Sequence, residues 1–542
     1  MVDPKPEKLQ FATKLAYGAG DFGPAITANI LVFYLLFFFT NVVGLPAALA
    51  GSILMIGKIS DAINDPIVGM LSDRSRSRWG RRLPWMLLGA IPFALFFFLQ
   101  WLIPNFNSDI AINRWWQFGY YVLIGILFNI AYTIVNLPYT ALTPELTQDY
   151  NERTSLNSFR FAFSIGGSIL SLALAGLIFN SYPDQPSRQF LTLGVSCGVL
   201  SIFSTSWCAL RIQERGSQPL LTLSQKKYLG LFLVTISILS LLWGMFQTIS
   251  AADIQFVPIF VGLLSVICLS FGLTLLSASP ETHLTDAQAV EHKQQAENST
   301  QLSFAEQLKI AFSNRAFLYV IGIYLCSWLA VQLTASILIY FVVSWMGLSA
   351  NTFPLVAIAV QGTALVLLFF WKQVSDRLGK KAVYFMGTAI WLIAQLGLFL
   401  LQPGQTNWMF FLAILAGFGV SVAYLVPWSM VPDVIELDEL RTGKRREGIF
   451  YAFMVLLQKI GLALALFLIG IVLEAAGFAE QIPGQPMPPQ PESALMAIRL
   501  AIGPLPALAL IIGIILAYFY PITREVHAQI RLQLSEREQS SH

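Results

Sequence analysis

Residues 55–85 read MIGKISDAINDPIVGMLSDRSRSRWGRRLPW, and two textures meet inside this stretch. The first half is an apolar helical segment that nonetheless carries Lys58, Asp61, Asn64 and Asp65. The second half is a short loop with five arginines, Arg74, Arg76, Arg78, Arg81 and Arg82. Lys58, Asp61 and Asp65 are spaced i, i+3 and i+7, which puts them on one helix face. A charge near the centre of a membrane-spanning helix costs about 2.5–3.5 kcal/mol on insertion scales. Three charges on one stripe are therefore not there for packing. They face protein or water, and the reading is an ion or substrate pathway.

Working outward, the whole chain has the composition such a helix needs. Of 542 residues, 56% are hydrophobic and only 12% charged, with a mean hydropathy of +0.65. Soluble domains carry about a quarter charged residues, so this is a polytopic, all-α membrane protein. The net charge of +3 is small. Cys197, Cys208, Cys268 and Cys326 lie in apolar segments without CxxC spacing, so neither disulfides nor metal ligation is indicated. The four histidines, His283, His292, His527 and His542, form no ligand cluster. The N-terminus is polar, and the first apolar run carries Asp21, which is unlike a cleaved signal peptide.

Fourteen spans are expected, at 14–42, 47–72, 84–103, 117–143, 156–179, 189–210, 228–248, 255–278, 316–345, 353–371, 383–402, 408–430, 449–474 and 496–520. Each is expected to be long enough to cross about 30 Å of hydrocarbon. Alternate loops hold the five-arginine cluster, Arg211/Arg215/Lys226/Lys227, Lys372/Arg377/Lys380/Lys381 and Arg441/Lys444/Arg445/Arg446. The opposite side has only Arg114 and Arg188, with Arg499 near the start of the last span. This bias places both termini in the cytoplasm of a multi-pass inner-membrane protein.

The chain also repeats itself. SDRSRSRWGRR (72–82) is echoed by SDRLGKK (375–381), and PYTALTPE (138–145) by PWSMVPD (427–433). Two parallel six-helix halves would place these loops symmetrically. The expected organisation is a bundle over 1–211, an insert over 212–303, a second bundle over 304–525 and a tail over 526–542. The insert contains an extra hairpin, 228–248 and 255–278, turning near Ala251–Asp253, and a polar linker, 280–303. Residues 304–315 fit an amphipathic surface helix.

Asp61, Asn64, Asp65 and Thr133 make an all-oxygen set with two negative charges, which suits a monovalent cation. Lys58 and Lys459 could neutralise the carboxylates when no cation is bound, as coupling requires two states of similar energy. Tyr132, Thr133 and Asn136 lie on one side of their span, before Pro138; Asp21 sits among Gly18, Gly20, Gly23 and Pro24; Arg160 is in the fifth span. Blander readings exist for each: a structural pair for Asp61/Asp65, hydration for Asp21, snorkelling for Arg160. The run FYLLFFF (33–39) fits core or lipid contact, and the acidic pieces Glu145, Asp149, Glu152, Asp433, Glu436, Asp438 and Glu439 are expected to pair with nearby arginines. No P-loop, GxSxG or HExxH occurs, so the chain does not look like an enzyme.

DAINDP (61–66) with RSRWGRRLPW (76–85), YTIVNLP (132–138), and VPDVIELDELRTGKRREGIFYAF (431–453) with Lys459 beyond it resemble the glycoside–pentoside–hexuronide:cation symporters. That family is a branch of the major facilitator superfamily, and the likeness covers nearly the whole chain except about 215–303. It implies alternating access between two six-helix bundles, here with the extra hairpin, and coupling of sodium, lithium or protons to a sugar. It implies a cation site at Asp61, Asn64, Asp65 and Thr133, with Asp61 and Asp65 as the sodium ligands if sodium is the cation. Tyr132, Arg160 and Lys459 match further positions of the family, and no resident cofactor is implied. The sugar positions depart: a family aspartate in the first span falls on Ala25, another falls on Asn136, and an aromatic falls on Thr140. Asp21, one turn before Ala25, could supply a displaced carboxylate. An animal branch carries lysophospholipids with sodium, so the expected substrate is a sugar or, alternatively, a lysolipid or other amphiphile. A non-transporting receptor or scaffold is the reading from another class. The partners implied are a small molecule, a monovalent cation and the bilayer, and no nucleic acid.

Overall fold

In the computed structural model, the described residues are 9–540 apart from 76, 148–149, 184, 215–216, 251–255, 279–303, 444–446 and 481–487. The expected turn near Ala251–Asp253 and the linker 280–303 lie outside them. The described elements are helices: α1 Phe11–Ile30, α2 Ala47–Arg74, α3 Leu83–Leu99, α4 Ile110–Thr140, α5 Tyr150–Ser181, α6 Pro186–Arg211, α7 Leu223–Ser250 and α8 Phe256–Leu276. Then come α9 Phe304–Ser313, α10 Arg315–Tyr340, α11 Phe353–Leu378, α12 Lys380–Leu400, α13 Thr406–Thr442, α14 Glu447–Ala475, α15 Glu492–Ile502, α16 Pro504–Phe519 and α17 Arg524–Ser540. Among the described residues, twelve helical segments are long and apolar enough to cross a membrane. The other two expected spans are also helical. One is α2, with its charged stripe, and the other is α3, only 17 residues long.

Deviations from plain helix have local causes. Pro24 lies inside α1, where its missing N–H removes one backbone bond, and the hydroxyl of Thr27 donates to the carbonyls of Gly23 and Pro24, each at 3.0 Å. Beyond Ile30 the same helix continues through wide π turns at Leu31–Leu35 and Phe39–Val43. The expected last span is divided at Gly503 between α15 and α16, where Pro504 cannot donate. The echoed loops share a backbone feature: Gly80 and Gly379, each just before a basic pair, have φ of +104° and +85°. Side chains disfavour that region, so glycine recurs for the same reason in both halves.

The chain divides into two compact units, Met1–Leu31 with Ser60–Ser299, and Val32–Ile59 with Thr300–His542. In the first, α1 packs on α5 and α6, and α3 on α4 and α6. The inserted hairpin α7–α8 joins this unit by its α8 side: Trp207 stacks on Phe271 at 6.1 Å, and its indole donates to Thr274 at 2.8 Å. The opposite side of α7 exposes Leu231, Phe232, Leu239, Leu242 and Phe246, a face suited to lipid. In the second unit, α10 packs on α14 and α16, and α13 on α11 and α12. Here the aromatic run 33–39 is core, since every residue from Phe33 to Phe39 is buried. Of the acidic residues expected to meet arginines, Glu152 pairs with Lys14 at 2.8 Å and Asp433 with Lys380 at 2.6 Å.

Candidate functional site

The carboxylates of α2 meet the hydroxyl of α4. Thr133 Oγ1 lies 3.2 Å from Asp61 Oδ1 and 3.1 Å from Asp65 Oδ1. Asp61 is buried and Asp65 half-buried. A hydroxyl has one proton to give, so it cannot fully satisfy two acceptors at once. Two carboxylates drawn to one hydroxyl repel each other, and a cation held between them would offset that repulsion. The amide of Asn64 donates to Ser60 at 3.1 Å. Lys58, one turn before Asp61, and Lys459 on α14 are half-buried residues of the second unit.

A second polar group lies in the same unit as Thr133. Asp21 is buried, and Arg160 Nε stands 3.4 Å from its Oδ2. Arg160 thus reaches from α5 to α1. Its guanidinium also sits 5.6 Å from the ring of Tyr139, which stacks on Tyr17 at 5.1 Å and donates to the Tyr17 carbonyl at 2.8 Å. Glycine at position 20 is required by this packing, because a Cβ there would collide with the Tyr139 ring. Tyr132 is flanked by Phe93 at 5.8 Å and Phe128 at 6.1 Å. Asn136, three residues after Thr133, keeps its Oδ1 buried without a hydrogen-bond partner. The structure therefore brings Asp61, Asp65 and Thr133 together, and pairs Asp21 with Arg160. The Tyr139–Tyr17 support of that pair was not expected from sequence, because stacking between distant helices leaves no local spacing.

The family model described as MFS/sugar transport protein matches residues 16–240 and 221–524. The chain belongs to this transporter family. It is a multi-pass membrane transporter of the family and not an enzyme. An uncharacterized symporter of Synechocystis sp. is 62% identical over 99% of this chain and 98% of its own. A sodium-dependent lysophosphatidylcholine symporter of Gallus gallus is 24% identical over 99% of this chain and 91% of its own. Among solved structures, a D-xylose–proton symporter superposes with a TM-score of 0.56 at 13% identity, covering 94% of this chain and 97% of that one. That likeness shows the fold, which is the expected major facilitator architecture.

Proposed function

We propose that this family member is a cation-coupled symporter of a sugar or glycoside, with sodium or a proton bound at Asp61, Asp65 and Thr133. The observation that carries the reading is the Thr133 hydroxyl placed within 3.2 Å of both carboxylates. A cation there cancels the repulsion of Asp61 and Asp65 and ties α2 to α4. Thr133 and Asn136 are three residues apart, so the bound cation also fixes the helix face that presents Asn136 to substrate. Asn64 completes the oxygen set by an amide rotation. The basic loops assign the termini to the cytoplasm.

The test is uptake as a function of sodium and of pH. In Asp61→Asn and Asp65→Asn, cation-stimulated uptake is lost while protein still reaches the membrane. Thr133→Val, which removes a neutral ligand only, raises the cation KM about tenfold, equivalent to about 1.4 kcal/mol. Parental cation dependence in Asp65→Asn would sink the assignment.

A second reading, transport of a lysolipid, is favoured by Asp21, whose charge is already neutralised by Arg160, and by the neutral Ala25 and Asn136. A thermal-shift screen of the purified protein against sugars and lysophosphatidylcholine, with and without sodium, separates the two. Only a ligand that binds the folded state raises Tm.

A further inference from the structure

Helix α10 carries polar side chains on two sides, and only one side is satisfied. Ser327 lies 2.9 Å from the Tyr384 hydroxyl, and Thr334 pairs with Gln395 at 2.9 Å, both partners being on α12. A different ridge, Trp328, Gln332 and Ser336, behaves otherwise. Trp328 Nε1, Gln332 Oε1 and Ser336 Oγ are all buried, and none has a hydrogen-bond partner. Their spacing of four puts them within an arc of about 80° and along about 12 Å of helix.

Buried polar atoms are paired almost everywhere in folded proteins, so three orphans in sequence require a cause. The serine sharpens the point. Three α-helical serines of this same unit turn back onto a preceding carbonyl, Ser327 onto Ile323 at 2.8 Å, Ser421 onto Phe418 and Ser429 onto Val426 at 2.7 Å each. That bond costs the backbone nothing and was open to Ser336, whose hydroxyl instead points elsewhere. Trp328 is held in place by rings on either side, Tyr324 at 5.9 Å and Tyr424 at 5.8 Å.

We infer that Trp328, Gln332 and Ser336 form a hydroxyl-binding ridge of the second unit, which takes a neutral polyhydroxylated ligand. The chemistry selects the class. The ridge offers an indole N–H donor, an amide acceptor and a hydroxyl able to do either. It has no charged group to meet a phosphate or a carboxylate. A sugar presents neutral donors and acceptors in close succession, and a reach of about 12 Å covers more than one sugar ring. The inference rests on the symporter reading and adds a recognition element that Asp61, Asp65 and Thr133 do not provide.

The full-length protein is tested with melibiose, maltose and D-xylose as probes, each with and without sodium. Gln332→Leu and Ser336→Ala are expected to raise the sugar KM tenfold or more and to abolish the sugar-induced rise in Tm. Both should keep the sodium-induced rise, which reads the cation site separately. Ser336→Cys is expected to react with a small polar thiol reagent faster than the parent protein does, and the sugar should protect it. A ridge that is merely an unsatisfied core would give a different result: Gln332→Leu would raise Tm and leave the KM unchanged, and Ser336→Cys would be inert. Either outcome overturns the inference. A parent protein stabilised by lysophosphatidylcholine and by none of the sugars overturns it too, together with the sugar reading. Loss of the sodium effect alone, in a protein that still responds to sugar through Gln332, overturns the cation coupling and leaves the ridge standing.

Discussion

The carboxylate of Glu214 accepts from three consecutive backbone amides, those of Arg81 at 2.7 Å and of Arg82 and Leu83 at 2.8 Å each. These amides open α3, whose first turn has no intrahelical acceptors for them. A buried negative charge at a helix N-terminus satisfies the donors and complements the helix dipole. It also explains Gly80, where a Cβ would land on the carboxylate. Glu214→Ala should therefore lower stability by about 2–3 kcal/mol, and Glu214→Gln by less, since one acceptor oxygen remains. The check is the Tm of each purified variant; unchanged values would show that the loop holds itself. Asp61, Asp65 and Thr133 were legible in the sequence because charge in an apolar helix is conspicuous and helical spacing fixes its face. Glu214 was not, because its partners are main-chain atoms more than a hundred residues away. The Asp21–Arg160 pair is equally hidden in the sequence, because its two side chains lie 139 residues apart.

At the scale of elements, twelve of the fourteen expected spans follow from apolar length, and the structure adds how they meet. In the inserted hairpin, α7 and α8 cross at Gly230 and Gly272. A Cβ on Gly230 would stand 2.9 Å from the Gly272 carbonyl oxygen, and one on Gly272 would stand 2.8 Å from that of Gly230. Small residues that let two backbones approach are a recurrent means of helix association in membranes. Gly230→Ala should cost about 1–3 kcal/mol by overpacking. Because the hairpin contributes no residue to the candidate site, the sugar KM and the sodium dependence should stay at parental values. A changed KM would place the hairpin in the transport path. The C-terminal segment shows the opposite case. Residues 526–542 read as a polar tail, yet α17 packs on α13, burying Ile530 and setting His527 2.8 Å from Glu436. A helix with so few apolar residues leaves almost no periodic signal, so its docking could not be foreseen.

For the whole molecule, the two sequence halves and the two compact units do not coincide. The repeat of SDR and proline motifs implies a boundary in the middle of the chain, whereas residues 32–59 of the first half belong to the second unit. Local pattern cannot show this, because it reflects contacts between residues some 300 positions apart. Inside that unit, Phe33 and Tyr34 meet Phe353 at 5.6 and 5.0 Å, and Ala48 N donates to Glu474 at 2.6 Å. The Thr40 hydroxyl lies 2.7 Å from that of Tyr340, and both residues are buried. If the two sequence halves move as bodies during transport, residues 32–59 leave these partners once in each cycle. The contacts should then set an equilibrium between conformations more than the stability of the fold. Tyr340→Phe deletes one hydrogen bond and keeps the ring, so it should weaken the packed arrangement by about 1 kcal/mol. That corresponds to a shift of about fivefold in the conformational ratio. A cysteine at Asn41, which is buried here, should be alkylated about fivefold faster in the Tyr340→Phe background, with Tm little changed. Equal alkylation rates with and without the tyrosine hydroxyl would mean that residues 32–59 stay docked throughout the cycle, and that the moving boundary lies elsewhere in the chain.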